Sequence, residues 1–418
     1  MTNRKKIAVI GSGISGIVSA YLLQQKYDVS IYEACPRLGG HTYAFPIKND
    51  SAVNAIDMGF IVFNLLNYPL FTKFLNALNV QYIPSDMSFA YYDSCINFYY
   101  SSDFYKGVFA QKRHFFSPTF WKFLYDIKQF NSRVLSDIKN IDMTKMSLKY
   151  YLHYAGFSQF LIESYVLPMG AAIWSCSTEQ ILSFPAKSFF EFWKNHQLLT
   201  LGKRPQWQTI KGSSQSYIDA FLKQFKGNVF TNSKVTGITR FHRGASVHFK
   251  DKKSCDFDGV IIATHANDAF RLIDEPNSLE KRLLSVWNYA KNEVCLHTAS
   301  KVMPPSKNAW ASWVVQKTSQ NKNALVMTYY MNRLQSITSN KYYFVSLNDP
   351  GFINSEYIIH KQLFTHPIYN EQSVKTQSDL HLLNTGPLYF CGSYFGYGFH
   401  EDGVKSAVNA CKRLGVEL

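Results

Sequence analysis

Six residues near the start of the chain have the spacing of a phosphate-binding turn, Gly11-Ser12-Gly13-Ile14-Ser15-Gly16, and an acid, Glu33, follows downstream. Each glycine of such a G-x-G-x-x-G string has its own task. Gly11 permits the tight bend, Gly13 lets the backbone approach a pyrophosphate, and Gly16 lets the next helix pack on the preceding strand. Ile14 and Ser15 then sit at a helix start, where unpaired N–H groups point at an anion. A carboxylate at Glu33 accepts hydrogen bonds from ribose hydroxyls and repels a 2′-phosphate, which disfavours NADP. The elements that must hold these groups are legible around them. Residues 7–10 are an apolar run fit for a strand buried on both faces. Ile14, Val18, Tyr21 and Leu22 recur at helical spacing, and residues 29–32 form a second apolar run that ends at Glu33. This is a complete βαβ unit with a dinucleotide fingerprint.

The string continues Glu33-Ala34-Cys35-Pro36-Arg37-Leu38-Gly39-Gly40-His41. This continuation resembles the extended fingerprint of the amine-oxidase-type flavoproteins. The resemblance implies FAD as cofactor, with Ala34, Arg37, Gly39 and Gly40 around its diphosphate and ribityl chain; His41 stands where that superfamily often has an arginine. Two further strands fit the same pattern. One begins near Val235, which aligns with an adenine contact, and the other, from residue 259, ends in Ala263 and Thr264. Near the end of the chain a strand and turn, with Gly392 and Ser393, lead into Gly398, Phe399, His400, Glu401 and Gly403 and then an apolar-periodic helix. This resembles the C-terminal flavin motif, in which the last helix aims its dipole at the ring and stabilises negative charge on reduced flavin. The expected fold is therefore α/β: a Rossmann-type FAD-binding domain from residues 1–70, 205–275 and 385–418, and a second, discontinuous α+β substrate domain from 71–204 and 276–384, amine-oxidase-like in arrangement.

Several polar and aromatic strings beyond residue 160 could line a substrate pocket or be satisfied buried groups. Their candidate members are Trp174, Asn195, Arg204, Trp207 and Asn332. Histidine suits proton transfer near neutral pH, so His400, His196 and His297 are the candidate catalytic groups. Taken together, these strings, with others such as Ser85-Asp86-Met87-Ser88-Phe89 and Met331-Asn332-Arg333-Leu334-Gln335, resemble one bacterial branch of the superfamily, found beside lipid methyltransferases of the cyclopropane-fatty-acid-synthase type. That resemblance implies an FAD-dependent oxidoreductase desaturating a lipid acyl chain, with a lipid methyltransferase as a partner. Two alternatives stand beside it: a flavin amine oxidase acting on small amines, and a flavin-bound isomerase or non-redox partner of the methyltransferase. No motif singles out the lysine that assists oxygen in amine oxidases, although Lys291 and Lys301 lie in the plausible region.

Composition narrows the setting. The chain has 418 residues and a formal net charge of +15, so an anionic partner is expected. Seven scattered cysteines without a C-x-x-C pair argue against a metal clamp and for a reducing compartment, hence a cytoplasmic protein. No apolar run is long enough to span a bilayer. Residues 104–153 carry nine Lys/Arg against three Asp/Glu, interleaved with aromatics. This segment is either a contact with the anionic inner face of a membrane or a solvated charged face over an ordinary core stripe of Phe120, Phe123, Leu124, Ile127 and Phe130. No nucleic-acid recognition module is present.

Overall fold

The computed structural model describes residues 4–48, 50, 51, 53–174, 176–200, 205–250, 252–318 and 325–418. Arg204, a substrate-pocket candidate, lies outside the described residues. The expected α/β architecture is found. A five-stranded sheet has the order 228–230, 28–32, 6–10, 259–262, 388–390, and every adjacent pair is parallel. Residues 7–10 are almost fully buried, as a central strand with both faces covered requires. All five strands lie within 1–70, 205–275 and 385–418. The first helix, Ile14–Leu23, packs beside the last, His400–Arg413, and the Ser15 hydroxyl donates to Gly403 O at 3.0 Å. The two ends of the chain are thereby joined across one sheet.

A seven-stranded mixed sheet forms the second half, ordered 358–368, 288–297, 344–347, 325–330, 313–317, 89–93, 98–101. Helices between residues 104 and 195 cover it. The boundary drawn at residue 70 cuts through a small sheet: strand 82–85 pairs with 207–210, which also pairs with 62–64. Residues assigned to both domains therefore share one ladder.

The string containing Arg333 forms an interlock, not a pocket wall. The Arg333 guanidinium bonds Asp86 and Asp103, each at 2.6 Å, and Trp310 O at 2.6 Å. Asp86 also accepts from the hydroxyls of Ser88 and Ser312. Asn332, expected in the substrate pocket, instead clamps its own loop: its amide donates to Lys341 O at 2.8 Å and its oxygen accepts from Tyr343 N at 2.8 Å. Gln335 accepts from Asp57 N at 2.9 Å. Three separated stretches of chain are tied here by charge-assisted bonds, which are stronger than neutral ones. Arg333→Gln is expected to destabilise the fold by about 2 kcal/mol, read by urea unfolding, with little change in how tightly FAD is held.

His297 is likewise structural. It is fully buried in strand 288–297. Its Nδ1 accepts from Ala299 N at 3.2 Å, so Nε2 carries the proton and donates to the Ser346 hydroxyl at 2.9 Å. Both nitrogens are satisfied within the sheet, and the catalytic expectation for His297 is corrected. Burial lowers its pKa to about 4. The unfolded chain therefore binds a proton there below pH ~6.5 that the folded chain refuses until pH ~4. Stability from this group is present above the unfolded value and is lost as pH falls towards the folded one. Between pH 7.5 and 5 the wild type should lose about 2 kcal/mol through His297, and urea titrations of His297→Gln should lack that component.

Candidate active site

At the first turn, Gly11 adopts φ +93°, and a Cβ there would sit 2.9 Å from Ala263 O. A Cβ on Gly16 would stand 2.0 Å from Gly11 O, whereas Gly13 has nothing within 4 Å of that position. The fingerprint thus contains two packed glycines and one that faces open space. Ile17 N makes the first helical bond, to Gly13 O, and no side chain caps the turn. The N–H groups of Ile14, Ser15 and Gly16 precede that ladder and point out of the helix end, an arrangement that fits a diphosphate. Glu33 is held in place: Ser12 N donates to it at 2.9 Å, the Ser12 hydroxyl at 2.6 Å and Cys35 N at 2.8 Å. Ala34 lies in that same turn. Val235 is buried at the start of its strand, and Ala263 N bonds Ile10 O at 2.9 Å, with Thr264 following.

Arg37, expected at the diphosphate, also braces its own loop. Its guanidinium donates to Thr42 O, Leu38 O and Gly40 O at 3.1, 3.3 and 3.0 Å and lies over the Tyr43 ring. It ties the loop carrying Gly39 and Gly40. His41 is no substitute cation. Its Nε2 faces Thr365 O at 3.0 Å, so this nitrogen carries the proton. Burial, with His265 nearby, lowers its pKa to about 4, leaving it neutral.

The C-terminal end closes onto this loop. Gly392 N bonds the Ser406 hydroxyl at 2.9 Å, which docks strand 388–390 and Ser393 on the last helix. Asp402 accepts from Tyr397 N and Phe399 N, both at 3.0 Å, and shapes the approach to that helix. Gly398 has φ +96°, and a Cβ there would lie 2.7 Å from the Tyr369 hydroxyl. His400 stacks on Phe60 with centroids 3.6 Å apart, and its Nε2 lies 3.2 Å from the Thr42 hydroxyl and 3.5 Å from that of Tyr217. Phe399 stacks on Phe192 at 4.9 Å, with His196 at 6.2 Å. Residues near 40, 60, 195 and 400 therefore converge on one place.

Glu401 departs from the expected cofactor contact. Its two carboxylate oxygens accept from Leu70 N and Phe71 N at 3.0 and 2.9 Å, capping helix Pro69–Ala77. Two buried hydroxyls beside the C-terminal loop, on Tyr369 and Tyr394, have no hydrogen-bond partner among the described residues. Buried hydroxyls normally find partners, so these suit a polar group lying between the chain ends. With the open face of Gly13, they suit an FAD held between the chain ends.

The sequence profile described as flavin containing amine oxidoreductase matches residues 14–322. The chain belongs to this family. It is an FAD-dependent oxidoreductase with the amine-oxidase-like fold. Wild-type putrescine oxidase bound to putrescine aligns with a TM-score of 0.72 at 13% identity, covering 98% of this chain and 99% of that one. Cyclohexylamine oxidase from Brevibacterium oxydans IH-35A gives 0.71 at 12% identity, covering 99% and 100%. A conjugated-linoleic-acid-producing fatty acid isomerase from P. acnes gives 0.67 at 12%, covering 99% of each chain. No curated protein matches by sequence.

In this flavin oxidoreductase the remaining candidates divide. Trp174 is buried among Phe184, Phe189 and Phe192, and its indole N–H has no partner among the described residues. Trp207 lies 6.4 Å from both His196 and Tyr68. The Asn195 carbonyl accepts from Asn67 at 3.0 Å. His196 faces Phe192 O through Nδ1 at 3.1 Å, and burial lowers its pKa to about 4. Burial and His41 bring His400 to about 3. Both rings are therefore neutral near pH 7 as placed here, and a base that weak abstracts protons poorly. Lys291 and Lys301 are exposed.

Sequence reasoning missed Thr42, Phe192, Tyr217 and Tyr369 as site residues. The structure shows what brings the Phe60 contact about: a Cβ on Gly59 would clash with His41 O, so this glycine brings Phe60 against the cofactor loop. Among the described residues no metal-binding cluster exists, and no helix is long and apolar enough to cross a membrane.

Proposed function

We propose that this flavoenzyme dehydrogenates an acyl chain of a lipid. Its support is that the acids around the site are engaged by backbone N–H groups while its walls are aromatic. Glu401 and Asp402 serve the amides described above, and Asp57 accepts from Ser214 N and the Ser214 hydroxyl. Burial raises Asp57 to about 7 and Asp402 to about 6. An ammonium substrate entering a desolvated site is best met by an available carboxylate, although aromatic faces can also hold one. Phe60, Phe192, Phe399, Trp174 and Trp207 with two neutral histidines offer apolar contact, which suits a methylene chain.

Bound FAD supplies the two-electron acceptor for a hydride. Dehydrogenation would remove a hydride to the bound FAD and a proton from the neighbouring carbon, leaving a C=C bond, with the proton released finally to bulk solvent as hydronium. The protein's part is to exclude water and hold the chain. Phe399, fixed by Asp402 and stacked on Phe192, and His400, clamped between Phe60 and Thr42, set the wall against which the chain would lie. Under this reading a lipid methyltransferase is the class of enzyme that supplies a branched substrate.

Anaerobic mixing tests the proposal. Vesicles containing methyl-branched or unsaturated phospholipid should bleach the flavin absorbance, with loss of two hydrogens from the lipid, while putrescine and cyclohexylamine leave it unchanged. Bleaching by the amines alone would overturn it. A second reading draws on the fold likeness to the fatty acid isomerase: a double bond that moves while the flavin ends oxidised would assign redox-neutral isomerisation.

A further inference from the structure

We infer that the surface built by residues 112–128 docks on an anionic lipid bilayer. The apolar stripe of helix Pro118–Asn140 does not carry this. Phe120, Phe123 and Phe130 on that stripe are buried in the core. The observation is what lies off the stripe. Phe116 is 83% exposed and Phe115 56%, and Trp121 and Tyr125 also face outward. Trp121, Tyr125 and Lys128 stand at i, i+4 and i+7 and so share one helix face. Lys112, Arg113 and Lys122 flank it, all exposed. Asp126 is the single acid between residues 104 and 130, and it pairs with Lys122 at 2.9 Å.

The turn that carries the aromatic tip is braced from behind. The turn Lys112–Phe116 is anchored behind by buried His114, stacked on Phe120 at 4.2 Å. Gln111 braces it through Asn97 O at 2.8 Å and Tyr99 N at 3.1 Å. Trp121 Nε1 donates to Phe115 O at 2.9 Å, and Phe109 packs against both rings. Ser117 caps the helix through Phe120 N at 3.3 Å. Side chains this apolar, fixed outward by buried braces, are presented to something.

Charge and composition select the occupant. Lysines are depleted from the cores of protein–protein interfaces, yet here they alternate with the aromatics. Aromatic rings at headgroup depth surrounded by Lys and Arg are the pattern of interfacial membrane binding. The anionic headgroups of one leaflet complement this basic collar, and each such cation strengthens binding severalfold. The inference is independent of the substrate reading, because the surface lies outside the active site and its test measures binding, not turnover.

The test is co-sedimentation of the FAD-loaded protein with vesicles of phosphatidylcholine alone or mixed with phosphatidylglycerol. The wild type should pellet with the mixed vesicles and not with the neutral ones. Lys112→Glu/Lys122→Glu/Lys128→Glu should lower the partition coefficient at least about 100-fold. Phe116→Ser/Tyr125→Ser should lower it about 10-fold or more. FAD content and circular dichroism should match wild type in both variants, since every altered side chain is exposed. Equal pelleting of wild type and the charge-reversal variant would overturn the inference. So would a wild-type dimer that ignores anionic vesicles and becomes monomeric in Phe116→Ser/Tyr125→Ser, an outcome assigning the face to self-association.

Discussion

Gly13→Asp is expected to yield a folded protein that does not retain FAD. The position tolerates a side chain: nothing lies within 4 Å of a Cβ there, and φ is −65° with ψ 178°. That geometry is the one an N-cap residue adopts, and aspartate is among the best caps. Its carboxylate would bond the first-turn N–H groups and favour the helix dipole, stabilising the apoprotein by roughly 0.5 kcal/mol. The same N–H groups would be withdrawn from the diphosphate, and a negative charge would sit against it. FAD affinity should fall at least about 1000-fold, or about 4 kcal/mol. Fluorescence titration of refolded apoprotein with FAD and thermal unfolding of the apo form check both signs. A variant that is destabilised and yet binds FAD normally would mean that the open face of Gly13 is not the diphosphate site.

Gly403→Val should damage stability and cofactor binding together, from the far end of the chain. A Cβ at Gly403 would lie 2.8 Å from Ile14 Cγ2 and 2.9 Å from Ser15 Oγ. The last helix would have to move away from the first, loosening the Ser15–Gly403 bond. Overpacking of this kind costs about 2 kcal/mol, and the hydrogen bond adds about 1 kcal/mol. Urea unfolding should show a loss of about 3 kcal/mol in the apoprotein. FAD should also bind more weakly, because the loop at residues 396–400 is carried by the displaced helix. Ser15→Ala, which removes only the bond, should show the smaller loss.

What could be read from the sequence was local. The turn from Gly11 to Gly16, its flanking strands and Glu33 are contiguous, so spacing alone fixes their relations. Glu401 looked like part of the same C-terminal motif, yet its partners are Leu70 and Phe71, 331 and 330 positions away. No periodicity reveals a cap supplied across that distance. Arg333 misled for the same reason: it sat in a polar string that suggested a pocket, and only its convergence with Asp86 and Asp103 shows an ion-pair interlock. His297 had the right residue type for proton transfer, but its Ser346 and Ala299 partners fix it inside a sheet. On the long helix, spacing identified the buried stripe of Phe120, Phe123 and Phe130. It did not say whether anything covers Trp121 and Tyr125, because burial of an opposite face depends on the neighbours that tertiary packing brings. Thr42 and Tyr217 escaped notice because neither type is diagnostic until His400 is placed beside them.

The central claim is that both ends of the polypeptide hold one FAD. Amide hydrogen exchange of the apoprotein before and after FAD addition tests it most directly. The account predicts slowed exchange at once in residues 12–16, 39–42 and 396–403, saturating at one FAD per chain. Protection confined to the first of these segments, with 396–403 exchanging as before, would contradict it.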